Sequence, residues 1–93
     1  MNNLKIKNQI VNIINIILED NRLSEDSMDI ELELYGLDSL KFVAMIVALE
    51  EEFQIEIPDK YLLYSEMNTV NKIFLVVSSI IGNQDYQENG VLE

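Results

Sequence analysis

The sequence has no cysteine, no histidine and no tryptophan among its 93 residues. Catalytic triads, thiol chemistry and metal sites built from cysteine and histidine are therefore excluded. Disulfides cannot stabilise the fold, and a chain of this length buries only about 60–65% of the surface that it exposes when unfolded. We therefore expect one small hydrophobic core, and the absence of cysteine suits a reducing cytoplasm.

Long apolar runs are also absent from the sequence. No stretch approaches the roughly 20 apolar residues that a bilayer-spanning helix needs. Lys5 and Lys7 precede an isoleucine-rich stretch, as in a signal peptide, but Asn8, Asn12 and Asn15 interrupt it and no small-residue cleavage site follows. We expect a soluble, monomeric, cytoplasmic protein without a signal peptide or a membrane span.

Positive charge is scarce, because 6 basic residues face 17 acidic ones and the net charge is −11. Fourteen of the acidic residues and only three of the basic ones lie between Glu19 and Glu66. Such a field repels nucleic acid and anionic membranes and attracts basic partner surfaces. Taken alone, however, the charge favours a surface that only aids solubility.

Apolar periodicity predicts an all-α fold. The first helix covers residues 3–18, with an isoleucine stripe at helical spacing formed by Ile6, Ile10, Ile13, Ile14 and Ile17. Residues 19–38 are predicted to form a long ordered loop with three core anchors, Leu32, Leu34 and Tyr35. A second helix is expected over residues 39–52, a short one over 60–64, and a final one over 70–81.

The final helix is expected to begin after Thr69, a fair N-cap residue, and to end at Gly82. Residues 1–82 are therefore interpreted as a single domain. Residues 83–93 are polar and are expected to form a flexible tail, and the closing Leu92-Glu93 pair resembles a cloning scar.

The second helix has two apolar sides. One side is the natural core face and consists of Phe42, Ile46, Leu49 and Phe53, with Met45 beside it. The other side, termed the outer face of the second helix, consists of Leu40, Val43, Ala44 and Val47, with Glu50 and Glu51 at its lower edge. Because a surface helix of a small bundle needs only one apolar face, the outer face is interpreted as a docking surface. The alternative is a central helix that is buried on most sides.

Ser39 is the one candidate for a covalent function. It lies in Gly36-Leu37-Asp38-Ser39-Leu40, where a turn leads into a helix. The N-terminus of a helix favours a phosphate, since its amides are unpaired and the helix dipole is positive there. A serine without a base is a poor nucleophile, so we interpret Ser39 as a group that another enzyme modifies. On the Asp-Ser pair alone, a helix cap formed by Asp38 or Ser39 is the more frequent explanation.

Four motifs together, in order, resemble the acyl carrier protein family over roughly residues 4–81. They are Gly36-Leu37-Asp38-Ser39-Leu40, Ala48-Leu49-Glu50-Glu51-Glu52-Phe53, Ile55-Glu56-Ile57-Pro58-Asp59 and Thr69-Val70. The resemblance implies a small four-helix bundle with three longer helices, one short helix and a long loop between helices 1 and 2. It also implies that Ser39, flanked by Asp38 and Leu40, receives 4′-phosphopantetheine from coenzyme A through a separate, Mg²⁺-dependent transferase.

The same resemblance implies a non-catalytic carrier whose thioester cargo is acyl, aminoacyl or polyketide. Its partners would be the transferase and biosynthetic enzymes with basic docking surfaces, and the recognition residues would be Leu40, Val43, Ala44, Val47, Glu50 and Glu51. Fatty-acid carriers usually have acidic residues where this chain has Lys41 and Ala44, and the segment from Pro58 to Thr69 is longer than is typical of them. We therefore expect a stand-alone carrier of a specialised pathway.

Other functional classes have weaker support. An acidic inhibitor or helical interaction module without a cofactor fits the charge but does not explain the apolar outer face. A calcium site would need an Asp-rich loop with a glycine, which Asp26 to Glu33 lacks. Glu50 and Glu51 could act as an acid–base pair, but carboxylates on a solvated helix are far more often surface charge.

Overall fold

The computed structural model describes residues 3–19 and 23–91, and it describes the side chains of residues 3–19, 23–24 and 26–82. These residues form three α-helices and four short 3-10 helices, and they form no β-strand. The α-helices are α1 (Asn3–Leu18), α2 (Ser39–Phe53) and α3 (Val70–Val91), and the 3-10 helices are Glu25–Ser27, Leu32–Tyr35, Asp59–Tyr61 and Tyr64–Glu66. The predicted all-α bundle is confirmed.

Helix α1 packs against both α2 and α3. Its buried residues recur every four positions and are Ile6, Ile10, Ile14 and Leu18, while Ile13 and Ile17 lie at the edge of the core. This spacing places them on one stripe, as the sequence predicted. Asparagine and β-branched residues are mediocre helix formers, so the packing of this stripe is what stabilises α1.

The loop between α1 and α2 is held by two of the three expected anchors and by two further residues. Leu32 is fully buried and Tyr35 is half-buried, but Leu34 is exposed, so its predicted role as an anchor is wrong. A 3-10 helix has three residues per turn, so Leu32 and Tyr35 lie on the same side of it and Leu34 does not. Leu23 and Leu37, which the prediction omitted, are buried and hold the two ends of the loop.

The connection from α2 to α3 also differs from the prediction. The short helix expected over residues 60–64 is replaced by the 3-10 helices Asp59–Tyr61 and Tyr64–Glu66. They are separated because Leu63 has extended backbone angles (φ −116°, ψ 139°). Tyr61 packs against the core, whereas Leu62 and Leu63 are exposed. This segment lies beside the start of α2 and forms part of the site described below.

Helix α3 begins as predicted, because Thr69 Oγ1 accepts a hydrogen bond from the backbone amide of Lys72 at 3.1 Å. Its predicted end at Gly82 is wrong, since α3 continues to Val91. Glycine within a helix costs only about 1 kcal/mol relative to alanine, and no proline follows to stop the helix. Leu92 and Glu93, the pair that resembles a cloning scar, lie outside the described residues.

Candidate functional site

Ser39 is the first residue of α2 and is exposed. Asp38 is the N-cap, and its side-chain oxygen Oδ1 accepts a hydrogen bond from the amide of Lys41 at 2.9 Å. The carbonyl of Asp38 accepts the first helical hydrogen bond, from the amide of Phe42 at 2.8 Å. Of the two caps that the sequence left open, the structure therefore selects Asp38, and the Ser39 hydroxyl is not used for capping.

The chain before Ser39 is fixed by a sharp turn. Gly36 ends the 3-10 helix Leu32–Tyr35 in the left-handed region (φ 101°), and its amide bonds to the carbonyl of Glu33 at 3.0 Å. The next amide, that of Leu37, bonds to the carbonyl of Leu32 at 3.2 Å, and the Leu37 side chain is buried. Gly36 in the left-handed region and the buried Leu37 set the direction of the chain, and Ser39 lies at the surface where α2 begins.

The surroundings of Ser39 suit a phosphodiester. Among the residues that the structure describes, none forms a hydrogen bond with the Ser39 hydroxyl. The first amides of a helix lack intrahelical partners, and the dipole of a 15-residue helix adds positive potential at this end. An exposed hydroxyl in this position therefore fits the attachment of a phosphate-linked group.

A groove of about 560 Å³ opens beside Ser39. It lies between the start of α2 and the segment that precedes α3, and most of its lining is apolar; the lining residues are Glu33, Leu37, Asp38, Ser39, Phe42, Val43, Leu62, Leu63 and Tyr64. Its volume is within the range of about 300–1,000 Å³ that is usual for small-molecule sites. The sequence did not predict this groove, because it depends on residues from two distant segments.

Tyr64 contacts two other residues that line the groove, Glu33 and Phe42. Its hydroxyl oxygen accepts a hydrogen bond from the amide of Glu33 at 2.9 Å. Its ring meets the ring of Phe42 edge to face, with 6.2 Å between the ring centres and 69° between the planes. Burial raises the pKa of the Tyr64 phenol above 10.0, and the negative charges of Glu31 and Glu33 add to the rise, against the lowering effect of the Glu33 amide. Tyr64 is therefore neutral at physiological pH.

The outer face of α2 is exposed, as the sequence predicted. Leu40 is 83% exposed, Val43 is 60% exposed and Val47 is 49% exposed, and Ala44 lies between them at the surface. Met45, Ile46 and Leu49 on the opposite side are buried, with Phe42 and Phe53 half-buried at its ends. The alternative of a central helix buried on most sides is therefore wrong.

The two acidic residues at the edge of the outer face differ from each other. Glu51 is exposed. Glu50 is half-buried, and its Oε2 accepts a hydrogen bond from the amide of Ile57 at 2.8 Å. Glu50 therefore binds the segment that follows α2 through this hydrogen bond. The periodicity of α2 did not indicate this role.

The described part of the chain lacks two further classes of site. No group of three or more acidic side chains there could hold a metal ion. No helix there is both long enough and apolar enough to cross a membrane.

Comparison with known proteins gives consistent matches. A family model described as "Phosphopantetheine attachment site" matches residues 8–73. The D-alanyl carrier protein of Leuconostoc citreum is 33% identical over 79 residues, which cover 85% of this chain and all of that protein. The D-alanyl carrier protein of Leuconostoc mesenteroides is 36% identical over 80 residues, with the same coverage.

Acyl carrier proteins match over shorter regions. The mitochondrial acyl carrier protein of Saccharomyces cerevisiae is 48% identical over 50 residues, or 54% of this chain and 36% of that protein. The acyl carrier protein of Campylobacter fetus is 36% identical over 70 residues, or 72% of this chain and 84% of that protein. No solved structure matches at comparable significance.

Proposed function

This chain belongs to the phosphopantetheine-attachment family of carrier proteins, and we propose that Ser39 is the residue that carries its 4′-phosphopantetheine group. The chain is a carrier that tethers its cargo through this covalent group. The observation that supports Ser39 is its geometry: an exposed hydroxyl at the first position of α2, beside an open groove.

The proposed attachment is a phosphoryl transfer to this chain. The Ser39 Oγ forms a new bond to the phosphorus that bears the pantetheine arm of coenzyme A, and the pyrophosphate bond breaks. Adenosine 3′,5′-bisphosphate leaves, and the hydroxyl proton goes to a general base at the interface of the chain and the transferase. The attached group supplies the thiol that the sequence lacks, and that thiol forms thioesters.

Asp38 and the first turn of α2 have a positioning role in this proposal. Asp38 holds the amide of Lys41, which fixes the start of the helix. The remaining amides of the first turn and the helix dipole stabilise the negative charge of a phosphodiester on Ser39. Leu40, the next residue, is the most exposed apolar side chain of the outer face.

The outer face of α2 is proposed as the surface that the transferase and the biosynthetic enzymes bind. Its centre is apolar, Glu51 lies exposed at its edge, and the net charge of −11 attracts partners with basic surfaces. Glu50 contributes less to docking than Glu51 in this proposal, because its carboxylate already bonds to the amide of Ile57.

The cargo is proposed to belong to a specialised pathway rather than to general fatty-acid synthesis. Lys41 and Ala44 reduce the negative charge around the outer face, which weakens attraction to strongly basic partners. The names of the two Leuconostoc relatives refer to a D-alanyl group. A short acyl or aminoacyl thioester is therefore the proposed class of cargo.

Intact-mass spectrometry tests the assignment of Ser39. The protein is incubated with coenzyme A, Mg²⁺ and a broad-specificity phosphopantetheinyl transferase, and the expected product is heavier by one phosphopantetheinyl group. Ser39→Ala should gain no mass. Ser65→Ala, which removes another exposed serine, should gain the same mass as the unmodified sequence.

Two results would contradict the assignment. One is the absence of a mass gain with a transferase that is active on another carrier in the same assay. The other is a mass gain that persists in Ser39→Ala, which would place the group on a different residue.

A further inference from the structure

Two aromatic rings that line the groove beside Ser39 also pack against the hydrophobic core, and the buried side chain of Leu37 lines the groove with them. Phe42 and Tyr64 both line the groove and both pack against the core. Their edge-to-face contact, with ring centres 6.2 Å apart, is within the favourable range for aromatic pairs. The two rings, together with Leu37, therefore form the inner wall of the groove.

Tyr64 is held in this position from two sides. Its hydroxyl oxygen accepts a hydrogen bond from the amide of Glu33, in the 3-10 helix before Ser39. Its carbonyl accepts a hydrogen bond from the amide of Met67 at 3.0 Å. Movement of the Tyr64 ring away from Phe42 would break the hydrogen bond to Glu33, so the wall has a defined closed position.

Two fully buried methionines follow the two rings in the chain. Met45 lies one helical turn after Phe42 on α2, Met67 lies one turn after Tyr64, and both side chains are fully buried. A chain of methylene groups could enter between the helices only if one of the two rings moved and the core repacked, because protein interiors leave few voids.

We propose that Phe42 and Tyr64 form a latch that keeps cargo carried on Ser39 in the surface groove and out of the helical core. This inference depends on the attachment of cargo through Ser39. Short cargo needs no place in the core, whereas the distal part of a long chain finds no buried place and stays in water. Tyr64 is thus the specificity-determining residue, because its size and its hydrogen bond to Glu33 close the core.

Methionine methyl groups report on this latch directly. The protein is labelled with [¹³C-methyl]methionine and loaded by the transferase from acetyl- or octanoyl-coenzyme A, and intact mass confirms loading. In the unmodified sequence, the methyl shifts of Met45 and Met67 should be the same with acetyl and octanoyl groups. The melting temperature should also be independent of chain length.

Two variants should open the latch. In Tyr64→Leu and in Phe42→Leu, the octanoyl form should shift the methyl resonances of Met45 and Met67 relative to the acetyl form, and its melting temperature should be higher. Tyr61→Leu is the matched control, since Tyr61 packs against the core but does not line the groove. It should behave as the unmodified sequence does. If one variant does not fold, the other variant and the unmodified sequence still give the answer.

The outcomes separate the latch from the attachment site. Failure to load overturns the assignment of Ser39, and the latch with it. Successful loading followed by octanoyl-dependent shifts of Met45 and Met67 in the unmodified sequence overturns the latch alone. Loaded, folded variants that show no dependence on chain length also overturn it.

Discussion

Asp38 and Lys41 are joined by a 2.9 Å hydrogen bond between the Oδ1 atom of Asp38 and the amide of Lys41. This bond fixes the start of α2 and leaves the hydroxyl of Ser39, which lies between them, without a structural role. Asp38 therefore caps the helix, while the hydroxyl of its neighbour Ser39 stays exposed.

Asp38→Ala should lower the free energy of unfolding by about 1 kcal/mol, since that is the typical loss when an N-cap is removed. For a domain of this size the melting temperature should fall by about 4–8 °C. Asp38→Asn, which keeps a capping oxygen, should be close to the unmodified sequence in urea unfolding. Equal stability of Asp38→Ala and the unmodified sequence would show that the cap is not formed.

Val47→Glu should slow loading by the transferase while leaving the fold intact. Val47 is half-exposed at the centre of the outer face, so the change in stability should be within about 0.5 kcal/mol. Leu75→Glu introduces the same charge at a similarly exposed position on α3 and serves as the control. Equal loading rates for the two variants, followed by mass spectrometry over time, would argue against the outer face as the docking surface.

Glu50 and Glu51 should respond differently to the same substitution. Glu50→Ala leaves the amide of Ile57 without its acceptor and should cost about 1–3 kcal/mol. Glu51→Ala removes only an exposed charge and should change the unfolding free energy by less than about 0.5 kcal/mol. Guanidinium unfolding of the pair tests this, and a larger loss for Glu51→Ala would reverse the roles of the two carboxylates.

Two glycines should respond to alanine with opposite signs. Gly36→Ala places a side chain at φ 101° and should destabilise the protein by about 1–3 kcal/mol. Gly82→Ala should stabilise it by about 0.5–1 kcal/mol, because Gly82 lies inside α3 with no atom near the added carbon. Thermal unfolding measures both, and destabilisation by Gly82→Ala would indicate that the helix ends there after all.

Tyr64 should make stability depend on pH in alkaline solution. The folded state raises its pKa above 10.0, mainly through burial, so the folded chain holds the phenolic proton more tightly than the unfolded chain does. The resulting stability is fully present below pH 10.0 and is lost as the pH rises through the higher pKa of the folded state. Tyr64→Phe should remove this part of the loss of stability in alkaline solution. Melting temperatures measured at a series of alkaline pH values test this. An unchanged alkaline profile in Tyr64→Phe would rule out Tyr64 as its source.

Helices and their buried faces were predictable from the sequence. Helix α1 and the start of α3 follow from isoleucine and valine at helical spacing, and Thr69 marks the first turn of α3. The two faces of α2 follow from the same reasoning, because a helix of a small bundle has only one side to bury. The prediction failed at Leu34, over residues 60–64 and at Gly82, where local signals were too weak. A 3-10 turn of three or four residues has no repeating pattern, and glycine costs a helix little.

The candidate attachment residue and the carrier family followed from the sequence alone, because a serine at a helix N-terminus and its flanking motifs are continuous in the chain. Only the tertiary structure decided what surrounds that residue. The contact between Phe42 and Tyr64 and the hydrogen bond between Glu33 and Tyr64 join residues more than 20 positions apart, and the groove is lined by the same two segments. The periodicity of a sequence indicates which face of one helix is buried. Which residues from other segments contact that helix depends on how the helices pack around a common core.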